Sequence, residues 1–203
     1  MTKDYQIECW FPRSIYVASN VKPELLPELE KYSIKYAEQY GVTRNEKLYV
    51  DSGHVTCSKL LRKHYPFSDL TFEIKKRAAQ YANELGFNVT EDKMHLINIW
   101  FNISDEGDFN FPHCHPGSFI SGIYYVNTVE SNTIEFYDSD YLTGQTPYPD
   151  RYTDLSFEQT SYPCIPATMM MWRSNLVHCN PRQMEKGRKI AISFNLEIKK
   201  EYD

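Results

Sequence analysis

Two histidines two positions apart, His113 and His115 in Phe111-Pro112-His113-Cys114-His115-Pro116, have the types and spacing best suited to chemistry in this chain. On a strand, residues i and i+2 face the same way. An extended stretch over 109–115 therefore puts both imidazoles on one side and Cys114 on the other. Pro116 ends or bends that strand, because it has no N–H to give to a ladder. Two imidazoles on one face are two-thirds of a facial metal triad. The third ligand must come from elsewhere, and His178, in Asn175-Leu176-Val177-His178-Cys179-Asn180-Pro181, is the best candidate. Imidazole suits iron, zinc, copper and nickel, so residue type alone does not choose the metal. Taken alone, an H-x-H pair is more often two hydrogen-bonded strand histidines, and the downstream residues have to tip the balance.

Two of those residues are suited to holding a carboxylate. Arg188 comes ten residues after His178 and is followed by Lys189-Ile190-Ala191-Ile192-Ser193-Phe194-Asn195. Alternation puts Arg188, Ile190, Ile192 and Phe194 on one face. An arginine facing an apolar interior is costly unpaired, and its fork matches a carboxylate. The alternative is an arginine at a strand start, snorkelling to solvent. In Ser121-Gly122-Ile123-Tyr124-Tyr125-Val126-Asn127 one of the adjacent tyrosines must face in. Tyr125 shares its face with Ile123 and Ser121. A buried tyrosine hydroxyl needs a partner, which a ligand carboxylate would supply. The alternative is a core tyrosine bonded to backbone.

The elements that must position these groups change character along the chain. Residues 5–17 read as one or two short strands. Lys22-Pro23-Glu24 opens a helix whose stripe is Leu25, Leu29, Tyr32, Tyr36 and Tyr40, with Gly41 as its cap. Residues 42–67 read as loops. A second helix starts at Ser68-Asp69-Leu70, with a face of Leu70, Ile74, Ala78, Tyr81, Ala82 and Leu85, and Gly86 stops it. From Lys93 onward short β-branched and aromatic runs take over. Strands are expected at 93–102, 109–115, 119–127, 133–137, 157–164, 168–172, 175–180 and 189–198, a pattern of barrels and sandwiches. The polar segment 138–156 is a candidate lid. The fold class is therefore α+β, mainly β. A single domain over 1–203 is expected, with 1–92 as a helical layer and 93–203 as the β core.

Composition excludes several functions. The chain has 203 residues, 41% hydrophobic, 24% charged and 15% aromatic, which suits one globular domain with an aromatic-rich core. A net charge of −5 disfavours a large basic face for nucleic acid. No apolar run of about 18 residues suggests a membrane span, and the polar N-terminus lacks a signal core. Five cysteines, an odd number without regular spacing, suit reduced thiols and a cytoplasmic location. Cys114 and Cys179 each follow a candidate ligand, and alternation turns them away from the metal. The run Met169-Met170-Met171 reads as strand filling. His54, His64 and His95 lack partners at ligand spacing.

The order H-x-H-P, then S-G-I-Y-Y-V, then His178, then Arg188 with I-x-I-S-F-N resembles the Fe(II)- and 2-oxoglutarate-dependent oxygenases over roughly residues 93–197. It is most similar to an uncharacterised bacterial and phage branch with H-x-H-P in place of H-x-D. A bacterial or phage-infected cell is then the implied setting. The resemblance implies a double-stranded β-helix (jelly-roll) and a dioxygenase, commonly a hydroxylase, using O2 and 2-oxoglutarate. It implies His113 and His178 as iron ligands, with His115 where most relatives carry a carboxylate. Arg188 matches the residue that pairs with the distal carboxylate of 2-oxoglutarate, and Tyr125 matches an assisting tyrosine. Asn98, Trp100 and Asn102 lie on the preceding strand and are candidates to line the pocket.

His115 is the departure from the family pattern. A carboxylate offsets one unit of the metal's charge and a neutral imidazole does not. It either ligates to give a three-histidine site, swings away to leave a position open, or marks a preference for another metal. Asp108 and Asp138 lack ligand spacing. Two rival readings differ in their needs. A three-histidine cupin-type dioxygenase needs no 2-oxoglutarate clamp, and a non-catalytic jelly-roll needs no metal. The substrate, small-molecule or peptidyl, is not legible in one sequence.

Overall fold

The computed structural model describes residues 6–8, 12–40, 53–56, 64–138, 149–153 and 156–199. The predicted stops and stripes largely become elements. Strand β1 (Ile15–Ala18) precedes a 3-10 turn at Pro23–Leu25 and helix α1 (Leu26–Tyr40). Strand β2 (Gly53–Thr56) and helix α2 (Phe67–Glu84) follow. The β core is β3 (Met94–Ser104), β4 (Ile120–Asn127), β5 (Thr133–Tyr137), β6 (Gln159–Pro163), β7 (Met169–Arg173), β8 (Val177–Cys179) and β9 (Lys189–Ile198). The expected Gly41 cap, most of the 42–67 loop region and most of the candidate lid fall outside the described residues; where that region is described, Gly53–Thr56 is a strand paired with β3 and not a loop.

Helix α2 shows why these residues form what they form. Leu70, Ile74, Ala78, Tyr81 and Ala82 recur at helical spacing and all are buried. Each large apolar side chain so removed from water contributes roughly 1.5–3 kcal/mol. Gly86, at φ 87°, ends the helix. Its N–H bonds the Asn83 carbonyl at 2.9 Å and the Phe87 N–H bonds the Ala82 carbonyl at 3.0 Å, a Schellman closure that satisfies two orphan carbonyls.

Two antiparallel sheets form the sandwich, six strands in the order β1-β7-β4-β9-β3-β2 and three in the order β6-β5-β8. The arrangement is a double-stranded β-helix of the jelly-roll kind, without a closed barrel. Both faces of the large sheet are covered. On its outer face Ile120, Tyr124, Ile190, Ile192, Phe194 and Leu196 pack into one core with the α2 residues. On its inner face Ile123, Tyr125, Met170, Trp172 and Ala191 pack with Ile134 and Phe136 of the small sheet. Gly122 allows the close approach at the centre, since a Cβ there would sit 2.4 Å from the Phe194 ring and 2.7 Å from the Met170 carbonyl.

One expected strand is absent. Residues 109–115 form no strand, and only an isolated bridge joins His113 to His178. Asp108 carries the turn before it, accepting the Asp105 N–H at 2.9 Å, while the Asp108 N–H bonds the Asp105 carbonyl. The segment then pairs with the chain around His178, without the ladder partners that a continuous strand needs.

Candidate metal centre

The inner face opens between the sheets into a cavity of about 590 Å³, a size suited to a small ligand. His113, His115 and His178 meet in it. One ligand nitrogen from each lies within 4.8 Å of the others, and no other such group occurs among the described residues. The geometry is built from backbone. The His113 N–H bonds the His178 carbonyl at 3.0 Å, and the His178 N–H bonds the His113 carbonyl at 2.9 Å. The His115 N–H bonds the Ser174 carbonyl at 2.8 Å.

Two of the rings are fixed a second time. Nδ1 of His113 lies 2.7 Å from the Phe111 carbonyl and Nδ1 of His178 lies 3.0 Å from the Leu176 carbonyl. A carbonyl only accepts, so Nδ1 carries the proton in both and Nε2 keeps a lone pair for a metal. Burial, with His113 nearby, lowers the pKa of His178 to about 3 and that of His115 to about 4. Both are therefore neutral donors at physiological pH, as metal binding requires. Trp172 and Trp100 wall the cluster, with ring centroids 4.7 Å from His178 and 5.8 Å from His115.

Arg188 is not where the sequence reading placed it. Its alternation with Ile190, Ile192 and Phe194 is correct, but that face packs on the helices. Arg188, at the start of the strand, is 49% exposed and binds the Asp105 carboxylate through Nε (2.9 Å) and an Nη (3.1 Å). The inner side of β9 carries Lys189, Ala191, Ser193 and Asn195, of which Ser193 and Asn195 line the cavity. Lys189 is 3% exposed, and its ammonium donates to Asn180 Oδ1 at 3.0 Å. Burial lowers its pKa, against the pull of Cys164, Asp108 and Cys179. Sequence reasoning missed Lys189, and strand parity was the one signal that could have found it.

Tyr125 lies on the inner face, as expected, and is fully buried. Its hydroxyl makes no hydrogen bond, the Cys164 thiol is its polar neighbour, and burial pushes its pKa well above 10. Trp172 Nε1 is likewise buried without a partner. Asn98, Trp100 and Asn102 all line the cavity, together with Asn110, Asn180, Ser193 and Asn195. Ser121 ties its floor together, donating to Asn195 Oδ1 at 2.7 Å and meeting the Ser174 hydroxyl at 2.8 Å.

The other expectations fare variously. Met169, Met170 and Met171 are buried strand filling. Cys179 turns away to the Tyr137 hydroxyl at 3.5 Å and to Glu135 at 3.8 Å. His95 faces Glu197 at 3.9 Å on the surface. The side chain of His54 lies outside the described residues, as do Cys9 and Cys57.

Comparison with known proteins agrees with this centre. Residues 98–195, from β3 to β9, match the family model described as "Putative 2OG-Fe(II) oxygenase". Over these residues, just under half of the chain, the protein is similar to the 2OG-Fe(II) oxygenases, oxidoreductases named for their metal and their cosubstrate. Among solved structures it is similar to the epimerase SnoN in complex with Fe3+, alpha ketoglutarate and nogalamycin RO, at TM-score 0.70 and 11% identity over 92% of this chain and 79% of that one. A Pseudomonas putida prolyl-4-hydroxylase aligns at TM-score 0.65 and 8% identity, covering 93% and 94%. HygX from Streptomyces hygroscopicus, with nickel and 2-oxoglutarate bound, aligns at 0.61 and 9%, covering 92% and 83%. At these identities the likeness is one of fold. No curated protein matches the chain. No helix among the described residues is long and apolar enough to cross a membrane.

Proposed function

We propose that this chain, as a 2OG-Fe(II) oxygenase, hydroxylates a C–H bond of a small-molecule or peptidyl substrate, with Fe(II) held by His113, His115 and His178. The observation that carries the reading is the convergence of three imidazoles, two with Nδ1 bonded to backbone, in a cavity lined with amides and indoles. This donor set fits iron, because imidazole is a normal ligand for it and the lone pairs are free. Bound Fe(II) with 2-oxoglutarate supplies the oxidation, in which R–H, O2 and 2-oxoglutarate become R–OH, succinate and CO2.

The chain's own residues bind, orient and exclude water. Lys189 takes the place first given to Arg188 and holds the distal carboxylate of 2-oxoglutarate. It is a buried cation with one neutral hydrogen-bond partner. Tyr125, whose hydroxyl is otherwise orphaned, donates to the same carboxylate. A buried anion so paired is worth far more than one at the surface. Ile123, Trp172 and Phe136 keep this end of the cavity dry. Asn98, Asn110 and Trp100 line the same cavity and orient the substrate.

Succinate production by purified protein supplied with Fe(II), 2-oxoglutarate and O2 tests the reading. The expected result is a slow substrate-independent release that disappears when either iron or 2-oxoglutarate is left out. Release that ignores both refutes it.

A further inference from the structure

We propose, resting on the metal site just described, that His115 is the exchangeable member of the triad: His113 and His178 hold the metal, and His115 gives up its position to another donor.

The three imidazoles are not supported alike. His113 and His178 are locked to each other by two backbone hydrogen bonds, and each ring is fixed again through Nδ1. A ligating histidine nearly always has such an outer partner, which orients the ring and raises its basicity. His115 has none. Among the described residues its ring makes no hydrogen bond, and its Trp100 neighbour stacks at a tilt of 59° rather than accepting one. Its backbone enters a turn, where the Ser118 N–H reaches the His115 carbonyl at 3.3 Å and Gly117 sits at φ 88°. Holding an unanchored side chain in one rotamer costs conformational entropy that the two anchored rings have already lost on folding.

The chemistry points the same way. Three neutral imidazoles leave a dication uncompensated. An incoming anionic donor therefore gains by replacing the least supported ring, whereas replacing His113 or His178 would also break the ring's hydrogen bond to backbone, a buried one at His178.

The test uses Co(II) as the probe, with competing chelator to read Kd, on the wild-type chain and on His113→Ala, His178→Ala, His115→Ala and His115→Gln. Circular dichroism confirms the fold of each. The His115 variants are expected to lose no more than about tenfold in affinity, and the other two on the order of a hundredfold or more. Equal losses at all three positions overturn the proposal. The folded wild-type chain offers a second readout that needs no variant. In the proton spectrum of its Co(II) form, two shifted imidazole N–H signals are expected to exchange slowly with solvent, and the third to exchange fast. Three slow signals overturn the proposal. A wild-type chain that binds no Co(II) removes the proposed function along with this inference. Equal losses remove only the inference.

Discussion

His113 and His178, 65 positions apart in sequence, exchange both backbone hydrogen bonds, at 3.0 and 2.9 Å, and their rings stand 4.5 Å apart. This bridge fixes two ligands before any metal arrives, and it ties the segment before β4 to strand β8. Metal binding to a preformed site stabilises the native state by mass action. At a hundredfold excess over Kd the gain is about 2.7 kcal/mol. For a chain of this size that raises Tm by roughly 5–10 °C. Calorimetry with and without Fe(II) or Ni(II) under argon should show the rise, and a chelator should reverse it. His178→Ala should show almost none.

The neighbours Arg188 and Lys189 should separate cleanly. Arg188→Ala removes an exposed pair with Asp105, a contact of about 0–1 kcal/mol. It should leave the 2-oxoglutarate KM within about twofold of wild type. Lys189→Ala removes the buried cation, and the lost pairing of about 3 kcal/mol should raise that KM on the order of a hundredfold. Succinate assays across 2-oxoglutarate concentrations check both. A KM that moves with Arg188 and not with Lys189 would return the clamp to the sequence expectation.

That exchange of neighbours shows what was legible in the sequence and what was not. The alternation of β9 was readable, and so was the stripe of Leu70, Ile74 and Ala78 on α2. The side of β9 that meets the metal was not. Residues 190–196 are buried on both faces, one under helices and one under the small sheet, so an apolar Ile190-Ile192-Phe194 face looked like the barrel lining when it was the helix-packed back. His113, His115 and His178 were legible by type, although the strand invoked to align the first two does not form. The parity of Asn98, Trp100 and Asn102 was obscured by the register shift between Leu96 and Asn98 in the pairing of β3 with β9.

Tyr125→Phe should act with opposite signs on stability and binding. The hydroxyl is buried without a hydrogen bond, so its removal should leave the ligand-free protein unchanged or up to about 1 kcal/mol more stable. Affinity for 2-oxoglutarate should fall by roughly tenfold, the value of one hydrogen bond to a charged group. Thermal melts and equilibrium binding read the two separately. A destabilised variant with unchanged affinity would make Tyr125 a packing residue.

Gly122→Ala should be among the worst small substitutions. Its Cβ would meet the Phe194 ring and the Met170 carbonyl at 2.4 and 2.7 Å, and the carbonyl belongs to a paired strand that cannot yield cheaply. A cost of about 1–3 kcal/mol, or roughly 3–10 °C in Tm, is expected. A melt unchanged from wild type would mean that β4 and β7 shift apart freely.

The most direct test of the central claim is an anaerobic titration of Fe(II) and 2-oxoglutarate, followed by the weak visible charge-transfer band of the keto acid chelated to iron. The band should grow to one equivalent with the wild-type chain and with Arg188→Ala. It should be missing with His178→Ala and should need far more 2-oxoglutarate with Lys189→Ala. A wild-type chain that gives no band at saturating iron and 2-oxoglutarate, or a band that survives His178→Ala, would contradict the account.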